Sequence, residues 1–260
     1  MLFDTHCHLD FPPLFDNLPA VLAQAGAAGV NRFLVPAVSL ESWQRIAALA
    51  AVNPLICPAF GLHPMHAGQW SRAVADELAL RLSNGAAVGE IGLDYVLEEP
   101  SRAVQQTAFR AQLQLAMEVG VPVIIHCRKA FGDFFRIMRE ETRGEAGGVM
   151  HAFSGSTEVA RECTGLGLNI GIAGPVTWSN AVRPIAVVRD IPLEHLVLET
   201  DSPDLTPEPF RGSVNEPAFL VEIARKVAAI KGVSFETVAS ATTLNAERIL
   251  NVRTTPFFPH

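Results

Sequence analysis

The chain has 260 residues, 49% of them hydrophobic and 18% charged, with a formal net charge of −7 and a sequence pI of about 5.6. This composition supplies a sizeable core and excludes a disordered chain. The acidic balance argues against a protein that coats nucleic acid through a broad basic surface, while leaving room for an enzyme that holds one phosphodiester through metal ions and a few arginines.

The first expected element is MLFDTH (1–6), which runs into FDTHCHLD. In an extended chain the side-chain period is two, so Asp4, His6 and His8 share one face. A helical stretch, Leu18 to Ala28, is alanine-rich and stops at Gly29. Strand RFLVPAV (32–38) is followed by a helix from Leu40 to Val52, ending before Asn53-Pro54. LICPAFGLH (55–63) precedes a helix from Trp70 to Leu82, and AAVGEIGLD (86–94) precedes the longest, Arg102 to Val119, with a C′ glycine signal at Gly120. PVIIHC (122–127), GVMHAFSG (148–155) and LNIGIAG (168–174) alternate with helices over Lys129–Glu141, Thr157–Leu166 and Ala181–Arg189. After LVLETD (196–201) comes the proline- and glycine-rich loop SPDLTPEPFRGSV (202–214). Asn215 then starts a helix with Pro217 in its first turn, and Ser234 caps a final one with a possible break at Thr242-Thr243. The strands are continuous apolar runs, as in a sheet buried on both faces.

Strand then helix, repeated eight times, predicts one (β/α)8 barrel of the TIM type spanning 1–260. A doubly wound open sheet is the competitor, but it usually carries a glycine fingerprint after its first strand, where this chain has HCHLDFPP. No run of about 18 apolar residues could span a bilayer, and no basic segment followed by an apolar one opens the chain. Cys7, Cys57, Cys127 and Cys163 form no CxxC pair, so the expectation is a reduced cytoplasmic protein with no membrane association and no obligate protein partner.

Barrel enzymes place their chemistry at the C-terminal ends of the strands. Five of the eight histidines fall there: His6, His8, His63, His126 and His151. Glu90, Glu199 and Asp201 join them. A carboxylate in the apolar, glycine-flanked run VGEIG is costly unless paired or bound to a cation. The set exceeds what one ion needs, so it suggests two. His6, His8 and Asp201 would serve the first, His126 and His151 the second, with Glu90 bridging. Such ions, about 3.5–4 Å apart, share a hydroxide and clamp the oxygens of a displaced ester. Ligation by N and O without thiolate admits Zn, Mn or Mg. Cys7 and Cys127 adjoin ligands, but alternation turns them to the opposite face. Glu199 shares the face of Asp201 and either orients a ligand or water, or pairs with an arginine inside the barrel. Tyr95 and Trp178 either stack a base or simply pack.

DTHCHLD, GLHP, VGEIGLD, PVIIHCR, HAFSGS and LETDSP, in this order, resemble the TatD-type deoxyribonucleases of the amidohydrolase superfamily, from Asp4 to about Glu216. The resemblance implies a TIM-type barrel, a divalent-metal site and hydrolysis of DNA phosphodiesters, often from the 3′ end of single strands. It implies His6 and His8 as the first metal pair, Glu90 as bridge, His126 and His151 as the second pair, and Asp201 as the ligand that also handles the water proton. His63 and Arg128 match positions near substrate, and Arg211 could hold a neighbouring phosphate. Glu90 and His126 stand where lysine-bridged amidohydrolases carry a carbamylated lysine. The family loop reads PxPxRGxRNEP; here it is PEPFRGSVNEP, with Val214 replacing a basic residue, and Asp204 adds an acid nearby. Both changes weaken a polynucleotide contact. The expected activity is therefore hydrolysis of single-stranded DNA by a two-metal activated water. The alternatives are hydrolysis of a carbonyl ester or amide, such as a lactone or a misacylated tRNA, and a non-catalytic metal-holding scaffold.

Overall fold

The structure, a computed structural model, describes residues 1–142 and 146–252. Eight parallel strands follow one another in chain order around a single sheet: β1 (Leu2–Asp4), β2 (Val30–Pro36), β3 (Ile56–Phe60), β4 (Ala87–Asp94), β5 (Val123–Arg128), β6 (Gly148–Met150), β7 (Leu168–Ile172) and β8 (Leu196–Leu198). The helices α1 (Leu18–Ala27), α2 (Leu40–Val52), α3 (Arg72–Arg81), α4 (Arg102–Val119), α5 (Phe131–Thr142), α6 (Thr157–Gly165) and α7 (Arg183–Asp190) each link one strand to the next. Two more, α8 (Leu220–Lys231) and α9 (Phe235–Leu250), follow β8. This is the expected (β/α)8 barrel.

Every residue of β4 and of β7 is buried, which is why these runs read as continuous rather than alternating apolar segments. Inside the barrel Phe3, Leu34, Ala59, Ala87, Ile124, Val149 and Val197 form one cluster with Ala246 and Leu250 of α9. The last helix therefore stoppers the end of the barrel where the strands begin, and leaves the other end for chemistry. No break interrupts α9: the Thr242 hydroxyl donates to Val238 O and the Thr243 hydroxyl to Met1 O. The β-branched pair thus finds acceptors without distorting the helix.

Strands β1, β6 and β8 are shorter than their apolar runs suggest, because the chain leaves the ladder just before each ligand-bearing residue. No ladder joins β8 to β1. The gap is closed by hydrogen bonds beyond both strands: Thr5 N to Leu198 O at 3.0 Å, Asp201 N to His6 O at 2.8 Å and His8 N to Ser202 O at 2.8 Å. The segments that close the barrel are the segments that carry the histidines and the aspartate. Helix α3 starts two residues later than the periodicity suggests because Pro64–Gln69 forms a 3-10 turn and Ser71 caps at Arg72. Helix α5 likewise starts at Phe131, after Lys129 takes φ 57°. Pro217–Phe219 is a 3-10 turn before α8 rather than the first turn of that helix.

Candidate metal centre

His6 and His8 leave β1 in extended backbone, and their Nε2 atoms approach to 3.3 Å. His6 is fully buried and His8 nearly so. Glu90 lies in the middle of β4, where the pairing with β5 shifts register between Val88 and Ile91. Its Oε2 is 3.3 Å from His6 Nε2. Its Oε1 faces the other way, 2.9 Å from His126 Nδ1, 3.6 Å from His151 Nε2 and 3.8 Å from His63 Nε2. Asp201 Oδ1 is 3.7 Å from both His6 and His8 Nε2 and 3.6 Å from His151 Nε2. Asp201 holds this place with φ 58°, a left-handed conformation that aspartate tolerates better than most residues.

The expected residues therefore do converge, and among the described residues they form three overlapping groups, one of them His6, His151 and Glu199. His6, His8 and Glu90 form one set with metal-ligand spacing; His63, Glu90 and His126 form another. His63 sits closer in than its expected place beside substrate, with Nδ1 accepting from Met65 N at 3.2 Å. Cys7 is buried with its Sγ against Leu34 O, whereas Cys127, also buried, lines the cavity beside His126.

Burial holds His6 well below the usual histidine range, and the charge of the stacked His151, 3.4 Å away between ring centroids, adds to it. Burial likewise brings His63 down to about 3. Burial opposes ionisation of Glu90, yet the fields of His151, His6 and His63 hold its carboxyl well below the carboxylate range. His151 goes the other way. Burial disfavours its charge, but Asp201, Glu199 and Glu90 raise it to about 10. Burial lifts Asp201 to about 7, against the pull of His151. Imidazole nitrogens and carboxylate oxygens gathered at one barrel mouth are the donor set that divalent cations bound through N and O prefer. The face-to-face Nε2 atoms of His6 and His8 make the same point, since two lone pairs at 3.3 Å repel unless a cation or proton lies between them.

Three further groups hold this set in place. Glu199 is fully buried, and its Oε1 lies 3.1 Å from His151 Nδ1 while also accepting from Ala152 N. Its partner is thus the histidine and not an arginine. Its carboxylate occupies the space a side chain at 171 would take: a Cβ there would come within 2.6 Å of it, so the position is Gly171. Asp94, at the end of β4, meets His126 Nε2 at 3.3 Å, and its backbone N–H donates to Gln105 Oε1 at 2.8 Å. Although burial opposes it, hydrogen bonds from His126 and Val96 hold the Asp94 carboxyl below its usual range. Asp4 shares a strand face with His6 and His8 but does not join them. Its carboxylate accepts from the Thr200 hydroxyl at 2.6 Å and from Thr200 N at 2.9 Å. Asp94 was absent from the sequence-based candidates, although its spacing of four from Glu90 on one strand was the available signal.

Arg128 is exposed and lines a cavity of about 520 Å³ that opens from His126, His151 and Asp201. Arg211 is turned from the cluster, its guanidinium 4.3 Å above the Trp178 ring and 3.7 Å from Glu208. Trp178 Nε1 donates to Thr206 O, and the Tyr95 hydroxyl donates to Asp133, so each of these rings is fixed by neighbours.

Residues 3–251 match the family described as TatD related DNase. A relative from Bacillus subtilis (strain 168), YabD, described as an uncharacterised metal-dependent hydrolase, is 40% identical over 255 residues, 97% of this chain and 100% of that protein. The 3′-5′ ssDNA/RNA exonuclease TatD of Edwardsiella piscicida is 37% identical over 221 residues, covering 82% of this chain and 85% of that one. The crystal structure of YJJV, a TatD homologue from Escherichia coli K12, superposes with a TM-score of 0.91 at 33% identity, over 97% of this chain and 98% of that one.

Proposed function

The chain belongs to the TatD-related DNase family and is a metal-dependent hydrolase; from that premise we propose that it hydrolyses single-stranded DNA from the 3′ end, with two divalent ions held in the barrel mouth. The observation that carries this reading is the division of Glu90, one oxygen toward His6 and the other toward His126, His151 and His63. His6, His8 and Asp201 would hold one ion and His126 and His151 the other, with Glu90 shared and Mg, Mn or Zn all compatible with the donors. When bound, such ions supply Lewis acidity toward a phosphate oxygen and lower the pKa of water toward neutrality.

The remaining work falls to side chains of this protein. Burial lifts the Asp201 carboxyl to about 7, which suits it to accept the proton of the attacking water near neutral pH. Glu90 positions both histidine groups, and Glu199 fixes the ring of His151 through Nδ1. Arg128, on the cavity wall beside His126, is placed to meet negative charge on the phosphate. The 3′-5′ direction follows the Edwardsiella piscicida relative. No helix among the described residues is long and apolar enough to cross a membrane. The four buried free cysteines suit a reducing cytoplasm.

The test uses single-stranded DNA labelled at its 5′ end, given to protein stripped of metal and then reloaded. Stepwise shortening that requires metal and disappears in Glu90→Gln supports the reading. Turnover of lactones or other carbonyl esters with intact DNA under the same metal sinks it in favour of ester hydrolysis.

A further inference from the structure

The cavity of about 520 Å³ has two chemically different ends. His126, His151 and Asp201 form one of them. Beyond them the walls are apolar, built from Phe153, Ile172, Val176 and Trp178, and Arg128 and Arg183 also line the space. Among the described lining residues Asp201 is the only acid, and it belongs to the metal end.

Arg183 has no role in the metal centre and no evident structural one. It opens α7, where a cation meets the positive end of the helix dipole, an unfavourable position in the absence of an anion. It is exposed, and no carboxylate of the described residues lies within ion-pair distance of it. Arginines of the two neighbouring helices behave otherwise: Arg161 of α6 and Arg225 of α8 each hold a carboxylate. In a chain of net charge −7, leaving this one unpaired at the wall of an apolar cavity marks a place for an anion.

We propose that this cavity is a one-nucleotide subsite adjoining the metal centre, for the nucleotide on the 5′ side of the scissile bond, in which the base lies against the apolar wall and the 5′-phosphate on the far side of that nucleotide is held by Arg183. The proposal rests on the DNA reading above. The volume falls in the range of small-ligand pockets, room for one nucleotide rather than a duplex. Trp178 is pre-set for the purpose. Arg211 covers its ring at 4.3 Å and Thr206 O holds its Nε1 at 2.9 Å, so little freedom is lost when a base packs in the cavity beside it. A guanidinium on a phosphate gives charge-assisted contacts that a neutral group cannot make.

Calorimetry with thymidine 3′,5′-bisphosphate and thymidine 3′-monophosphate, which lacks only the far-side 5′-phosphate, tests this apart from catalysis. The wild-type protein is expected to prefer the bisphosphate by about tenfold, a preference that Arg183→Ala abolishes and Arg183→Lys partly restores. Arg189→Ala, at the other end of α7, keeps the preference. A bisphosphate preference that survives Arg183→Ala, or is absent from the wild type, overturns the subsite. Cleavage of single-stranded DNA measured alongside separates the two readings. DNA cut without an Arg183-dependent preference removes the subsite alone. An Arg183-dependent preference without DNA cleavage removes the nuclease reading and leaves a nucleotide pocket.

Discussion

Between β4 and β5 the ladder runs from Val88–Val123 through Gly92–His126 to Asp94–Arg128, so paired backbone carries Asp94 and His126 to the barrel mouth, while Glu90 sits in its one shift of register and donates its N–H to Ala37 O. Across the mouth, between β8 and β1, no ladder exists. His6, His8 and Asp201 are held there by a few hydrogen bonds beyond the strand ends and by the buried chain Asp4–Thr200–Ser202. Asn215 adds a tie from the loop after β8, donating to Thr200 O at 2.8 Å. One side of the site is thus secured by a regular ladder, the other by three isolated main-chain bonds and by side chains nearly 200 positions apart in the chain, Asp4 and Thr200. A seam that depends in part on side chains should be more sensitive to substitution than a ladder.

The sharpest form of that comparison is catalytic. Asp201→Asn, on the seam, is expected to lower kcat by about 10³-fold, since it removes the proton acceptor while keeping a residue that tolerates φ near 58°. Initial rates on labelled single-stranded DNA at saturating metal give this number; a loss under tenfold would remove Asp201 from the proton transfer. Next comes stability. Asp4→Ala leaves the buried Thr200 N–H without its acceptor and the Thr200 hydroxyl with Ser202 alone, and should cost about 2 kcal/mol in urea denaturation. Asp94→Ala, on the ladder side, should weaken metal binding about 10- to 100-fold, read by competition with a chelating dye, because His126 loses its orienting carboxylate. Equal stability losses for the Asp4 and Asp94 variants would break the distinction between seam and ladder.

Gly171→Ala probes the wall behind Glu199. A methyl group there would come within 2.6 Å of the carboxylate and push it from His151. A fall of about tenfold in kcat with little change in KM is expected, as for other residues that orient a ligand. A pH slope tests the seam in a different way. Burial raises Asp4 to about 8, against hydrogen bonds from Thr200 and His6. The folded chain therefore binds a proton that the unfolded chain releases near 3.8, so this group's stabilising contribution is full below that pH and is lost as pH rises toward 8. Asp4→Asn should flatten the decline, and metal-free unfolding curves at pH 5 and pH 8 compare the two. A wild-type and variant difference that stays constant over this interval would show that Asp4 is ionised throughout.

The local sequence was enough for most of the elements, because their signals are short-range. Gly120 closes α4 with φ 75°, and Ser234 caps α9 by accepting from Thr237 N. The donor types were legible for a related reason. A histidine or glutamate at the end of a buried apolar strand is costly unless something binds it, so VGEIG and PVIIHC betray their role without coordinates. Asp94 escaped because an aspartate closing a strand reads equally well as the start of a turn.

What the sequence by itself determined is the order of strands and helices, and the identity of the groups that meet at the strand ends; hydrophobic period and the cost of burying charge suffice for both. Only the tertiary structure decided that Glu90 splits its two oxygens between histidine groups, that His63 lies within reach of them, that β8 and β1 close through Asp4 and Thr200, and that Arg183 shares a cavity with Asp201. Those facts depend on the register and curvature of the whole barrel, which bring together residues with no local relation in the chain.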